Sequence, residues 1–249
     1  MIEIRGLRKK LSRHWVLDGL DLDVRKGETL VVLGPSGTGK SVLLKHVIGL
    51  MQPDAGSIRI DGEEIVGLGE KALNAVRRRF GMLFQGSALF DSMTVGENVG
   101  LALFEHARDM DPAEVRRRVE ERLEWVGLRN VTAMKPASLS GGMRKRVGLA
   151  RALALDPEYV LYDEPTTGLD PIMADTINQL IRALQKQLRV TSVVVTHDIR
   201  SAYAVADRIV LLYEGRVRYE GTVEETRRTA DAMMRQFIEG SSAGPIRPV

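Results

Sequence analysis

The chain has 249 residues, 44% hydrophobic and 28% charged, the balance of a soluble globular protein long enough to bury a full core in one large domain or two small ones. It contains no cysteine, which excludes a disulfide framework and a thiolate metal site. The formal charge is only +3, and no stacking aromatics accompany the arginine runs Arg77–Arg79 and Arg116–Arg118, so these read as solvated helix faces and no nucleic-acid partner is expected.

At the N-terminus, Met1–Leu7 mixes acidic, basic and apolar residues without a long apolar run, so no signal peptide is expected. Thr29–Leu33 is an apolar run ending at Gly34 and predicts a buried strand. Lys40–Leu50 has helical spacing and stops at Gly49 and Pro53. Ser57–Ile60 predicts a short strand turned by Asp61-Gly62, and Gly81–Phe84 another strand. Thr94–Phe104 and Pro112–Val126 predict helices, the second dense in i,i+4 charge pairs. A helix is expected over Gly142–Leu155. Tyr159–Asp163 and Ser192–Thr196 are apolar, β-branched strands of the buried parallel type, with a helix at Pro171–Leu188 between them. Asp207–Tyr213 and Arg216–Tyr219 predict a hairpin turned at Glu214-Gly215, and the Ser/Gly/Pro-rich tail Ser241–Val249 is expected to be extended. Strands alternating with helices imply an α/β layered fold with a mostly parallel sheet. No stretch approaches the ~18 apolar residues of a membrane-spanning helix, so any service to a membrane would run through a partner.

Two constellations carry chemistry. Gly34-Pro35-Ser36-Gly37-Thr38-Gly39-Lys40-Ser41 matches the phosphate-loop pattern completely and lies between a predicted strand and a predicted helix. Its glycines let the backbone turn N–H groups toward polyphosphate oxygens, Lys40 supplies a point charge to the β- and γ-phosphates, and the Ser41 hydroxyl suits Mg²⁺. Downstream, Val160-Leu161-Tyr162-Asp163-Glu164 is an apolar strand ending in two carboxylates, at the strand end where open α/β sheets bind ligands. Asp163 is the candidate for the Mg²⁺ shell and Glu164 for the general base that polarises water.

Further motifs carry a resemblance. Leu139-Ser140-Gly141-Gly142-Met143 and the following Arg144–Leu153 resemble the signature and signature helix of ABC transporter ATP-binding subunits. Pro165-Thr166-Thr167-Gly168-Leu169-Asp170-Pro171 matches that family's D-loop region, His197 its switch histidine, and Gln85 its Q-loop glutamine. The resemblance covers nearly the whole chain. It implies a P-loop NTPase (RecA-like) core over about 1–85 and 157–225, with an N-terminal antiparallel β element, an inserted helical subdomain over about 86–156, and a C-terminal helix and tail over about 226–249. It also implies a head-to-tail dimer that sandwiches two MgATP. In that dimer Ser140, Gly141 and Gly142 of one copy close on the γ-phosphate held by the other, and Asp170 touches the opposite phosphate loop. His197 contacts the γ-phosphate, and Gln85 binds the Mg²⁺ and water.

Phe80–Val95, the Gly-Gly-Met signature, Tyr162–Ile172 and Arg235–Gly240 closely resemble the Mla (MCE-associated) branch, whose members drive phospholipid transport between bacterial membranes. This resemblance implies integral membrane permease subunits, an MCE-domain lipid-binding protein and a STAS-domain regulator as partners. It also implies a peripheral location on the cytoplasmic side of the inner membrane and a tail that reaches across the dimer after Gly240. The segment Gly86–Phe104, with Phe90 and Met93, is expected to receive the permease. An ATPase for another small solute, such as an amino acid, would share every catalytic motif. Two positions depart from the family pattern: Met143 replaces a common Gln, and Leu11 occupies the usual adenine-stacking slot, with Trp15 nearby as a core candidate.

Overall fold

The structure, a computed structural model, describes residues 1–106 and 109–247. In chain order the elements are β1 (Ile2–Leu11), β2 (His14–Val24), β3 (Thr29–Leu33), α1 (Lys40–Val47), β4 (Ala55–Ile60), β5 (Glu63–Glu64) and α2 (Glu70–Arg77). There follow β6 (Phe80–Leu83), α3 (Val95–His106), α4 (Pro112–Trp125), α5 (Gly141–Ala152), β7 (Tyr159–Asp163) and α6 (Pro171–Leu188). The last are β8 (Thr191–Thr196), α7 (Ile199–Val205), β9 (Arg208–Tyr213), β10 (Arg216–Thr222), α8 (Val223–Arg228) and α9 (Ala232–Glu239). They pack as two compact units: Met1–Arg77 with the chain from Thr191 onward, and Arg78–Val190.

In the first unit, β3 lies parallel to both β8 and β9, with Leu30 opposite Val193 on one side and Arg208 on the other. β10 pairs antiparallel with β9. All five residues of β3 and all six of β8 are buried, which is why Leu30–Leu33 and Val193–Val195 read as continuous apolar stretches instead of alternating ones. β1 joins β2 and β4 in a separate antiparallel sheet, in the order β2-β1-β4-β5. Here the burial alternates, with Ile2 and Ile4 buried and Glu3 half-buried.

The Arg208 guanidinium lies deep in this unit. It reaches Glu28 at 2.6 Å, Glu220 at 2.5 Å and the Asp23 carbonyl at 2.5 Å. Arg208→Ala is expected to destabilise the protein by about 3–5 kcal/mol, because it leaves the mostly buried Glu28 carboxylate without its cation. Urea unfolding measures this; a loss under about 1 kcal/mol would place the network among surface ion pairs.

The described part of the tail differs from the extended form expected. The Gln236 amide oxygen accepts from Ile246 N at 2.6 Å, and its Nε2 donates to Ile246 O at 2.9 Å and Ser241 O at 3.1 Å. Arg247 N donates to the Tyr213 hydroxyl at 3.1 Å, and Ile246 is buried. One buried side-chain amide thus replaces the strand partners that this short segment lacks, and turns it back on its own chain. The rest of the tail reading, at 248–249, lies outside the described residues.

In the second unit, β6 and β7 run parallel, in register from Phe80 opposite Tyr159 to Leu83 opposite Tyr162. The Phe80 and Tyr159 rings stack at 4.8 Å. α3, α4 and α5 pack on one another, burying Val95, Val99 and Leu103 of α3 and Val115, Val119 and Leu123 of α4 at helical spacing. Asp111 caps α4 by accepting from Ala113 N at 2.7 Å, with Pro112 opening the helix. The expected charge pairing on α4 is present: Glu114 binds Arg117 at 2.7 Å and Arg118 at 3.2 Å. No described helix is long and apolar enough to cross a membrane.

Candidate functional site

The first unit presents the phosphate loop. β3 ends at Leu33, the chain turns through Gly34–Gly39, and α1 begins at Lys40. Two glycines are required by geometry. A Cβ on Gly34 would lie 2.4 Å from the Leu212 carbonyl oxygen. Gly39 has φ +97° and a Cβ there would meet the Val16 carbonyl at 2.9 Å. Inside this turn the Lys40 ammonium is buried, donating to Gly34 O at 2.7 Å and Pro35 O at 2.9 Å. Thr38 Oγ1 donates to Pro35 O at 2.9 Å. The loop therefore holds its own cation at its centre, next to a helix N-terminus, a position that attracts anions.

His197 belongs to the same edge. Leu33 lies opposite Thr196 in the parallel register of β3 and β8, so Gly34 and His197 leave neighbouring strands side by side. His197 is exposed, and Asp198 after it caps α7 through Arg200 N at 3.0 Å and Ser201 N at 3.2 Å. Near the β1–β2 turn, Leu11 and Trp15 are both exposed. Trp15 is not a core residue, and Lys10 Nζ stands 5.6 Å from its ring centroid.

The second unit assembles the other candidates. Leu83 lies opposite Tyr162, so Gln85 and the Asp163-Glu164 pair sit where adjacent parallel strands end, at one edge. Asp163 and Glu164 are each 7% exposed. Glu164 has φ 49°, a left-handed conformation costing a non-glycine residue about 1–2 kcal/mol. Its neighbours hold it there: Thr167 Oγ1 donates to Glu164 Oε2 at 2.9 Å and Thr167 N to Glu164 O at 3.3 Å.

Ser140 is the N-cap of α5, its Oγ accepting from Met143 N at 3.2 Å. Ser140 and Gly141 are exposed and Gly142 is buried, its Cβ direction closed by Met173 Cε at 2.3 Å. The Met143 backbone N–H is thus engaged in the cap, whatever its side chain does. Asp170 caps α6, with one carboxylate oxygen accepting from Ile172 N and Met173 N, both at 3.0 Å. Phe90 is exposed and Met93 half-buried.

One residue at this edge was not singled out from the sequence. Lys145 is 5% exposed, and its ammonium donates to the backbone carbonyls of both Gln85 and Glu164, the latter at 3.1 Å. Burial pulls its pKa down, opposed by the nearby carboxylates of Asp163 and Glu164. A signal was present: Gly142, Lys145, Leu149 and Ala152 share the buried face of α5 at helical spacing, so a lysine there must find buried partners. Farther along α5, Arg151 donates to Ser87 O at 2.6 Å and Ala88 O at 2.7 Å.

Comparison with known proteins agrees with this geometry. The ABC transporter family profile matches residues 17–167. The chain is 41% identical over 99% of its length to the intermembrane phospholipid transport system ATP-binding protein MlaF of Haemophilus influenzae (strain ATCC 51907 / DSM 11121 / KW20 / Rd), covering 93% of that protein. It is 42% identical over 98% of its length to the probable ribonucleotide transport ATP-binding protein mkl of Mycobacterium leprae (strain TN), covering 70% of it. Among solved structures, the dimeric post-hydrolysis state of the ATP-binding cassette MJ0796, bound to ADP and Pi, superposes with a TM-score of 0.82 at 35% identity, covering 90% of this chain and 99% of that one. With a phosphate loop, a capped signature helix and an acidic strand end on an α/β scaffold, the chain belongs to the ABC transporter family, as an ATP-hydrolysing subunit.

Proposed function

We propose that this protein powers phospholipid transport between bacterial membranes, as a head-to-tail dimer on the cytoplasmic face of the inner membrane, bound to integral membrane permease subunits. The observation that carries the reading is the end-to-end identity to the Haemophilus influenzae MlaF protein, 41% with 93% of that protein covered. An MCE-domain lipid-binding protein and a STAS-domain regulator complete the partner set. In this reading residues 86–156 form the helical subdomain, with Gly86–Phe104 and the exposed Phe90 facing the permease, while about 1–85 and 157–225 form the nucleotide core.

In this reading the residues take the following roles. Gly34–Gly39 and the start of α1 bind the nucleotide's phosphates, and the Lys40 ammonium moves from the Gly34 and Pro35 carbonyls onto the β/γ-phosphate oxygens. Glu164 accepts hydrogen bonding from the attacking water and polarises it. His197 supplies a donor to the γ-phosphate oxygens. Ser140, Gly141 and Gly142 bring the N-terminus of α5 to the γ-phosphate held by the second copy, and Asp170 contacts that copy's phosphate loop. Ser41, Gln85 and Asp163 would hold Mg²⁺. These are hard oxygen donors, which suits an ion that usually takes only one or two protein carboxylates beside substrate phosphates. Bound there, Mg²⁺ would neutralise charge on the phosphates.

A second reading has an observation of its own. The Mycobacterium leprae relative, 42% identical, is named for ribonucleotide transport, so a different small-solute cargo is the competing assignment. Purifying the native complex and identifying its permease and bound small molecules by mass spectrometry separates the two. Co-purified phospholipid with an MCE-domain partner is the expected result. A solute permease without lipid would overturn the phospholipid assignment and leave the ATPase intact.

A further inference from the structure

Lys145 has no role in the function proposed above, yet its ammonium bonds two backbone carbonyls at the chemical edge of the second unit. An ammonium almost out of reach of solvent is costly unless its donors are taken. An apolar side chain of similar length would fit the face that Lys145 shares with Leu149 and Ala152. The two groups its Nζ is bound to are not arbitrary: they are the backbone carbonyls of Gln85 and Glu164. These residues lie 60 and 19 positions away in sequence and leave two different strands, and a single ammonium on a third element ties both.

We propose that Lys145 is a positioning residue for hydrolysis: its ammonium fastens the signature helix α5 to the Gln85 and Glu164 backbones and so fixes where the glutamate carboxylate stands. This rests on the reading of Glu164 as the general base. The backbone at Glu164 is left-handed, at φ 49°. A donor on the carbonyl stabilises the conformation from one side while Thr167 restrains the carboxylate from the other, at 2.9 Å. Lys145 is five positions beyond the cap residue Ser140, on the same rigid helix, about 7–8 Å along its axis at 1.5 Å per residue. Lys145 therefore links the signature end of α5 directly to the backbone of the base. Arg151 makes the parallel connection farther along, holding Ser87 and Ala88, which also have positive φ of 62° and 46°. α5 thus clamps both the turn after β6 and the residue after β7.

Lys145→Met keeps length and removes the donors. In the full-length chain it is expected to lower kcat by between about tenfold and a hundredfold, the scale of a displaced catalytic group, while the affinity for a fluorescent ATP analogue stays within about threefold. The thermal midpoint should hold. Lys145→Arg, which keeps charge and donors, should recover part of the lost turnover. Should the Met variant not fold, the same split between kcat and affinity is read in Lys145→Gln. Wild-type turnover in the Met variant, parallel loss of affinity and thermal midpoint, or no recovery with Arg would each overturn the proposal. Glu164→Gln measured alongside separates the two levels: if it stays active, the base assignment fails, whereas an inactive Glu164→Gln beside a fully active Lys145→Met refutes only the role of Lys145.

Discussion

Glu164→Gln is expected to lower ATP turnover by at least about a hundredfold while nucleotide remains bound, the scale of removing a positioned general base. The substitution is nearly isosteric, so Thr167 keeps an oxygen to donate to and the left-handed turn persists. What is lost is a carboxylate able to accept a proton from water. Asp163 does not substitute, because it precedes Glu164 at the last position of β7 and is assigned to the metal shell. Because the γ-phosphate is no longer removed, the contacts that hold two copies together persist, and the variant should run as a nucleotide-dependent dimer on size exclusion. Phosphate-release kinetics and equilibrium ATP binding check the two halves separately; turnover at the wild-type rate would remove Glu164 from its role.

The second large effect concerns which chain completes each site. Lys40→Ala removes the cation held by the Gly34 and Pro35 carbonyls, and hydrogen bonds to charged groups are worth about 1.5–3 kcal/mol each, so ATP affinity should fall by at least about tenfold. Gly141→Asp places a carboxylate at the exposed start of α5, where a Cβ meets nothing closer than Leu169 Cδ2 at 3.6 Å, so the fold tolerates it while the anion site is poisoned. Each homodimer should be inactive. A mixed dimer carrying one substitution in each chain retains one undamaged site if the signature acts across the interface, and about half of wild-type turnover is expected from two equivalent sites. If each chain serves its own nucleotide, both sites are damaged and the mixed dimer is no better than either homodimer. That result would end the head-to-tail arrangement.

Much of this protein is legible from local pattern because its chemistry is local. A phosphate loop is one strand, one turn and one helix, and its requirements for glycine at Gly34 and Gly39 and for Lys40 are written in eight adjacent residues. Buried parallel strands announce themselves as apolar runs, and Tyr159–Asp163 and Pro171–Leu188 have the bounds expected. α1 is shorter than its pattern, ending at Val47, because Gly49 adopts φ +64° and the chain turns back. The short helices α2 and α7 were not anticipated, since about two turns carry too little periodicity to stand out from loops.

The sequence by itself determined the glycine-rich turn between β3 and α1, the acidic strand end and the order of motifs that places the chain in its family. Only the tertiary structure decided the partners of the long and buried side chains. Lys145 could have been a solvated lysine in a basic run; packing of α5 buries it against carbonyls from two strands. Trp15 could have been core; the β1–β2 pairing leaves it exposed. Gln236 reads as one more polar residue on a C-terminal helix until Ile246 returns to meet it. The reason is common to all three. Backbone preferences act over a few residues and are written in order along the chain, whereas the partner of a buried polar group is chosen by which distant segments happen to pack beside it.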